Sequence, residues 1–391
     1  MSHISVRHVT KIFGSQAAKM LGNVHNGVDK NTLLSKYRHG LGVYDINIDI
    51  EKGETFVIMG LSGSGKSTLI RHFNRLIEPT EGEIIVDGVD VMTLSKSELR
   101  DFRCNNMSMV FQHFGLMPHR RVIDNIAYGL KIQGKRPAFI RKEAYKWLEI
   151  AGLAGYEKAY PRSLSGGQQQ RVGLARALAA NTDILLMDEA FSALDPLIRS
   201  QMQDHLISIQ AELNKTIVFI THDLSEALRL GSRIAILNDG KLAQVGTPQD
   251  VLLNPADDYV RAFVQDVNRS SVITVETVMR APKLILSAQT SPEEALVQME
   301  QGNVNRGWLP TTEGVALIKK EQLQQKSGAR TLSELASPLK TVQMETTIDQ
   351  IIPLAIGQTP PIPVLDENNR LQGVVDTECI ADLLTEQLST H

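Results

Sequence analysis

Residues 55–77 read TFVIMGLSGSGKSTLIRHFNRLI, and this stretch decides the fold. Thr55 to Met59 form an unbroken apolar run, the mark of a strand buried on both faces of a parallel sheet. Gly60-Leu61-Ser62-Gly63-Ser64-Gly65-Lys66-Ser67-Thr68 follows and fits the spacing GxxxxGK[ST]. Its glycines let backbone N–H groups turn inward around a phosphate, and the helix expected over 66–77 points its positive end at the same place. Lys66 is placed to reach β- and γ-phosphates, and Ser67 to bind Mg²⁺.

Outward from this loop the chain alternates strand and helix, which predicts an α/β fold. Residues 4–13 (ISVRHVTKIF) read as a strand, Gly14 to Gly42 as a polar, helix-like insert, and 43–60 as two strands separated by the turn signal Glu51-Lys52-Gly53-Glu54. Residues 120–180 are mostly helical in period. Then DILLMDE (183–189) is a strand, LIRSQMQDHLISIQAEL a helix, and TIVFITHD (216–223) a strand again. The strand at 184–187 delivers Asp188 and Glu189 at its C-terminal end. Asp188 is placed to hold Mg²⁺ through water, and Glu189 to polarise an attacking water. Leu164-Ser165-Gly166-Gly167-Gln168 opens another helix, with Ser165 and the glycine amides forming a second anion-binding terminus or simply a helix cap.

Composition bounds the rest. The chain has 391 residues, 42% hydrophobic and 22% charged, with a net charge of −3. That suits a globular protein of two or three domains and gives no bulk field directed at nucleic acid. Cys104 and Cys379 are the two cysteines, far apart and without a CxxC, which fits a reducing cytosol rather than a disulfide scaffold or zinc site. The N-terminus has no signal-peptide core, and no run approaches the ~18 apolar residues of a membrane span. Composition shifts near residue 268: positions 268–391 hold 10 Lys or Arg against 15 Asp or Glu. In that tail VETVMRAPKLILSAQTSPEEALVQM and ELASPLKTVQMETTIDQIIPLA form a degenerate repeat, each expected as a short helix, an apolar strand and a Ser/Thr-led helix.

The chain resembles the ATP-binding-cassette (ABC) ATPases, because LSGGQ at 164–168 is their signature and the other elements stand in the family's order. The resemblance implies a RecA-like core with an antiparallel β subdomain and a helical subdomain at about 113–170. Gln112 matches the Q-loop, near Mg²⁺ and the attacking water. Ser192-Ala193-Leu194-Asp195 matches the D-loop at a dimer seam, and His222 matches the switch histidine. It also implies a head-to-tail homodimer in which Ser165, Gly166, Gly167 and Gln168 of one copy close over ATP held by the other. Phe13 is the expected adenine-stacking aromatic, with Tyr44 as runner-up.

Within that family the chain is similar to ATPase subunits of glycine betaine/proline-type osmoprotectant importers, through the insert at 15–42, the runs IMGLSGSGKSTLIRHFNRLIEPT and LLMDEAFSALDPLIRSQMQD, and the C-terminal repeat. The repeat at 268–391 resembles paired cystathionine-β-synthase (CBS) modules, either dimerising or binding an adenine or cyclic dinucleotide; Cys379 stands where an Asp would be expected after Gly373-Val374-Val375-Asp376, and Gly314-Val315-Ala316-Leu317 also departs from the pattern. The implied partners are an integral-membrane permease and, through it, an extracytoplasmic substrate-binding protein, with the chain on the cytoplasmic face of the inner membrane. FGLMPHRRVIDNIAYGL after Gln112 suits either a permease groove or core. Lys19, Lys30, Lys36 and Arg38 in the insert are expected to meet anionic lipid at low salt, or to form a solvated face. Two alternatives stand beside this reading, a non-transport ABC ATPase and an importer for an unrelated solute.

Overall fold

The structure, a computed structural model, describes residues 2–112, 114–265, 269–311, 314–325, 331–356 and 360–385. The chain divides into two compact units, Met1–Val267 and Asn268–His391; residues 266–268 at the junction lie outside the described residues.

Two sheets build the first unit. An antiparallel sheet has the order β2-β1-β4-β5, from β1 (Ser2–Phe13), β2 (Gly40–Glu51), β4 (Glu81–Val86) and β5 (Val89–Asp90). The second sheet has the order β10-β9-β3-β8-β7-β6. Its members are β3 (Thr55–Met59), β6 (Met107–Val110), β7 (Ile184–Asp188), β8 (Thr216–Ile220), β9 (Arg233–Asn238) and β10 (Lys241–Gly246). All its pairings are parallel except that of the edge strand β10. Every residue of β3, β7 and β8 is buried, which is why these strands lack the alternation of a half-exposed sheet. β2 and β3, neighbours in sequence, separate into different sheets whose facing side chains share one core, including Ile46, Ile50, Phe56, Ile58, Leu69 and Phe73. The α/β cassette architecture expected from the sequence is the one observed.

The insert folds as a 3₁₀ turn (Ala17–Met20) and two short helices, α1 (Leu21–His25) and α2 (Lys30–Tyr37). They pack Val24 and Leu33 against Ile12 of β1 and Leu41 of β2. Asp29 caps α2, its carboxylate accepting from the Thr32 N–H at 2.9 Å. The helix after the glycine-rich loop, α3, runs Lys66–Phe73 rather than to residue 77. Arg75 takes the left-handed conformation (φ 51°), which turns the chain out of the helix two residues later. α4 (Lys96–Asn105) precedes β6. The helical layer comprises α5 (Val122–Ile126), α6 (Tyr128–Ile132), α7 (Pro137–Ile150) and α8 (Gly166–Ala179). α9 (Pro196–Leu213) joins β7 to β8, α10 (Leu224–Leu230) joins β8 to β9, and α11 (Pro248–Leu253) and α12 (Asp258–Val264) close the unit.

The second unit holds two similar halves. The first has α13 (Val275–Val278), α14 (Pro292–Gln301), β11 (Arg306–Thr311), β12 (Gly314–Lys319) and α15 (Lys320–Gln325). The second has β14 (Val342–Gln343), α16 (Ile348–Ala355), β15 (Ile362–Leu365), β16 (Leu371–Val375) and α17 (Thr377–Thr385). The expected apolar strand of the second half is β14, parallel to β15; in the first half it shrinks to a single parallel bridge between Ile285 and Trp308. The halves are interlocked, because β13 (Ser337–Pro338) pairs with β12 while Arg280 bridges to Val374.

One buried group in α3 makes stability depend on pH. His72 is fully buried, and its Nδ1–H donates to the Ile77 carbonyl at 2.7 Å. Its Nε2 finds no partner among the described residues. Burial pushes its pKa from 6.5 down to about 4. The unfolded chain therefore takes up this proton before the folded chain does. Stability is full above pH 6.5 and falls as pH drops towards 4, by up to about 3 kcal/mol. Urea unfolding at about pH 7 and about pH 4.5 should show that loss, and His72→Asn, which keeps a neutral donor, should flatten this part of the profile.

Candidate nucleotide site

Parallel register brings the chemistry together. β3, β8, β7 and β6 lie side by side, with Ile58 opposite Ile220, Ile220 opposite Asp188, and Met187 opposite Val110. Their C-terminal ends therefore release the glycine-rich loop, Thr221-His222, Asp188-Glu189 and Gln112 at one edge. Crevices at this edge of an open parallel sheet are where such folds bind ligands. An open cleft of about 710 Å³ lies there, lined by Phe13, Lys66, Ser67, Gln112, Glu189 and His222. Ser62, Gly63, Gly65 and Thr68 line it as well.

The loop is shaped by glycine where nothing else fits. Gly60 has φ 146° and a Cβ there would collide with the Leu237 carbonyl; Gly65 has φ 101° and its Cβ would strike the Gly42 carbonyl. Inside the loop the Lys66 ammonium donates to the carbonyls of Gly60 at 2.8 Å and Leu61 at 2.9 Å. Burial pushes its pKa below the ordinary lysine value, opposed by the negative charges of Glu189 and Asp188. Ser64 Oγ is buried without a partner among the described residues. An ammonium half-satisfied by carbonyls beside an unpaired hydroxyl and a helix N-terminus is a cradle suited to polyphosphate oxygens.

Asp188 is completely buried and accepts from Ser67 Oγ at 2.8 Å and Arg71 Nη2 at 3.1 Å. The Ser67 hydroxyl and the Asp188 carboxylate are hard oxygen donors, few in number, and that suits Mg²⁺, which keeps most of its ligands as water and substrate oxygens. Arg71, one helical turn after Ser67, was not singled out from the sequence, because its partner Asp188 lies 117 residues away. Glu189 takes a positive φ of 48°, uncommon for a side-chain-bearing residue. Its carboxylate accepts from Gln112 Nε2 at 2.8 Å and lies 3.4 Å from His222 Nδ1. A carboxylate held between an amide and an imidazole at the mouth of a phosphate cleft can accept a proton from, or orient, a water molecule there.

The segment carrying His222 is fixed from behind. Thr221 Oγ1 donates to buried Glu226 at 2.7 Å, and Gln203 of α9 donates to the same carboxylate at 3.1 Å. Burial raises the Glu226 pKa. Arg199, also on α9, approaches both Glu226 and Asp223 at 3.8 Å. The segment carrying His222 and the first half of α9 are thus joined by one polar network.

Phe13 and Tyr44 part company. Phe13 lines the cleft, with the Lys11 ammonium 5.2 Å from its ring centre. Tyr44 lines a separate cleft beside the insert, with His25 and Lys241. Gly40, Leu41 and Gly42, where the chain returns from the insert, also line the nucleotide cleft and were missed in the sequence, which gives no local signal for them.

Ser165, Gly166, Gly167, Gln168 and Asp195 do not line this cleft. Ser165 caps α8 in a reciprocal box with Gln168, so a cap is one thing this motif makes. Asp195 caps α9, accepting from the Ile198 N–H at 3.0 Å. The two termini are neighbours: a Cβ on Gly167 would contact the Ala193 carbonyl at 3.7 Å, and Gln170 Nε2 donates to the Ala190 carbonyl at 2.5 Å.

Comparison with known proteins gives the family. The sequence model of the ABC transporter family matches residues 43–192. The chain is 45% identical over 380 residues to the glycine betaine/carnitine transport ATP-binding protein GbuA of Listeria monocytogenes, covering 96% of each. It is 43% identical over 394 residues to the glycine betaine/proline betaine transport system ATP-binding protein ProV of Salmonella typhimurium, covering 98% of each. Among solved structures, the ATP-binding cassette MJ0796, in a dimeric post-hydrolysis state bound to ADP and Pi, superposes with a TM-score of 0.55 at 32% identity. That match covers 63% of this chain and 98% of the other. With relatives so similar along nearly the whole of both lengths, the chain belongs to the family of ABC-transporter ATP-binding subunits.

Proposed function

We propose that the chain hydrolyses ATP to power import of a quaternary-ammonium osmoprotectant, glycine betaine foremost, with proline, carnitine or choline as related cargoes, through a membrane permease. The observation that carries the hydrolytic part is the convergence of Lys66, Ser67, Gln112, Glu189 and His222 on one cleft. The transport part is supported by the relatives, whose names specify betaine, carnitine and choline transport. Among the described residues no helix is long and apolar enough to cross a membrane. The reading therefore assigns the crossing to permease subunits and puts this chain at the cytoplasmic face of the inner membrane, with an extracytoplasmic binding protein delivering the solute.

In this mechanism Phe13 supports the adenine ring, and the loop amides with Lys66 hold the phosphates. Ser67 and Asp188 would hold Mg²⁺, which would supply positive charge against the phosphates. Glu189 positions the attacking water and draws on its proton. Gln112 fixes one carboxylate oxygen of Glu189, and His222 approaches the other. The cleft of one chain lacks Ser165 and its neighbours, so in this reading a second copy, bound head to tail, supplies them along with the Asp195 segment. Closing that dimer preorganises charge stabilisation around the transferred phosphoryl group. Because ATP favours the closed state, its binding and loss drive the permease.

Two finer assignments accompany this reading. The unit 268–391 is read as a tandem CBS-like regulatory or dimerising domain with a cyclic dinucleotide as candidate ligand. Asp376 there caps α17, its carboxylate accepting from the Cys379 N–H at 3.0 Å. In the insert, Lys19, Lys36 and Arg38 are exposed and remain candidates for contact with anionic lipid, whereas Lys30 is engaged within the protein.

Glu189→Gln should lower ATP turnover at least about a hundredfold while leaving ATP binding intact. In cells lacking their own importers and supplied with this chain and its permease, radiolabelled glycine betaine uptake should rise with osmolarity and vanish in that variant. An assembled complex that hydrolyses ATP without uptake would overturn the cargo assignment. ATP should also drive dimerisation of the Glu189→Gln chain in size-exclusion chromatography, and Ser165→Arg, placing a bulky side chain at the seam, should abolish it; an unchanged dimer would refute the head-to-tail arrangement.

A further inference from the structure

The insert reaches the nucleotide loop through the side chain of Lys30. Lys30 Nζ donates to the Gly63 carbonyl at 2.9 Å and to Asp239 Oδ1 at 3.4 Å. It does not line the nucleotide cleft; it lines the separate cleft shared by Tyr44, Asp239 and Lys241. Lys30 is the first residue of α2, where the positive end of the helix dipole disfavours a cation. A local preference overridden in this way needs a compensating partner, and the carbonyl and carboxylate supply it. Asp29 fixes the first turn of α2 by accepting from both the N–H and the hydroxyl of Thr32, which holds the stem of Lys30 in place.

What Lys30 grips matters for the loop's shape. A peptide unit is planar and trans, so holding its carbonyl aims the following N–H in the opposite direction. Lys30 holds the carbonyl of the 63–64 peptide, whose Ser64 N–H turns to the Leu61 carbonyl at 3.2 Å. The next peptide is held in the same manner, the Gly240 N–H donating to the Ser64 carbonyl at 3.1 Å. Gly240 is itself tied down, its carbonyl accepting from the Tyr44 N–H at 2.7 Å. Two consecutive peptides of the loop are therefore anchored by segments remote in sequence, one of them by a charged side chain from the insert.

We infer that Lys30 is a positioning residue for the phosphate loop, fixing from outside the cleft one peptide of the loop and with it the course of its neighbours. The inference rests on reading that loop as the ATP site. The insert is then not an isolated appendage, since α2 is tied to Gly63 by this contact.

The test uses the purified full-length chain, with trinitrophenyl-ATP binding and the KM and kcat of ATP hydrolysis as readouts. Lys30→Met should weaken trinitrophenyl-ATP and raise KM about fivefold, with kcat changed less than about twofold, less than a buried charge-assisted hydrogen bond would give because the side chain is one-third exposed. Lys30→Arg, which keeps charge and reach, should restore wild-type affinity, and Asp239→Asn should cost less than about twofold, since the Gly63 contact survives. Affinity unchanged in Lys30→Met, an equal loss in Lys30→Arg, or an Asp239→Asn loss as large as that of Lys30→Met would overturn the assignment. Should Lys30→Met prove unstable to heating, Lys30→Gln takes its place with the same expectations. A Lys66→Ala chain binding no worse than wild type would instead defeat the ATP-site reading itself.

Discussion

Everything at the site depends on four parallel strands ending together. β3, β8, β7 and β6 are paired in register, and the first three are buried along their whole length. Burial on both faces fixes the register firmly, because a slip would misplace every packed side chain against the layers above and below. The polar residues sit just past the point where the apolar run stops. Gly60, Asp188, His222 and Gln112 come from four separated parts of the chain, and the sheet alone makes them neighbours.

That edge carries unusual electrostatic demands, and the structure meets them with short polar chains. Asp188 is a fully buried carboxylate, tolerable because Ser67 and Arg71 both donate to it. Glu189 is held in a strained backbone conformation between Gln112 and His222. Behind His222, Thr221 and Gln203 satisfy buried Glu226. Lys66 occupies loop carbonyls that are weaker partners than phosphate oxygens, so its ammonium stays available.

The regions outside the sheet edge are bound by subtler means. The insert docks through a small apolar cluster around Val24 and Leu33, and Lys30 extends it to the loop. In the second unit the two halves exchange edge contacts, β13 with β12 and Arg280 with Val374. Each half on its own would present unpaired strand edges, a liability that the exchange removes.

The sequence by itself determined the catalytic order and the local conformations. Apolar runs, glycine spacing and capping residues act over a few neighbours, so the loop at 60–68, the buried strands beginning at 55, 184 and 216, and the helix opening at Ser165 could be read from it. Only the tertiary structure decided which aromatic lies in the cleft, since Phe13 and Tyr44 sit on adjacent strands whose pairing sends them to different cavities. The same holds for Arg71 on Asp188 and for Lys30 on Gly63. These are contacts between segments tens to hundreds of residues apart. Their partners are chosen by packing and strand register, which leave no periodic or compositional trace along the chain.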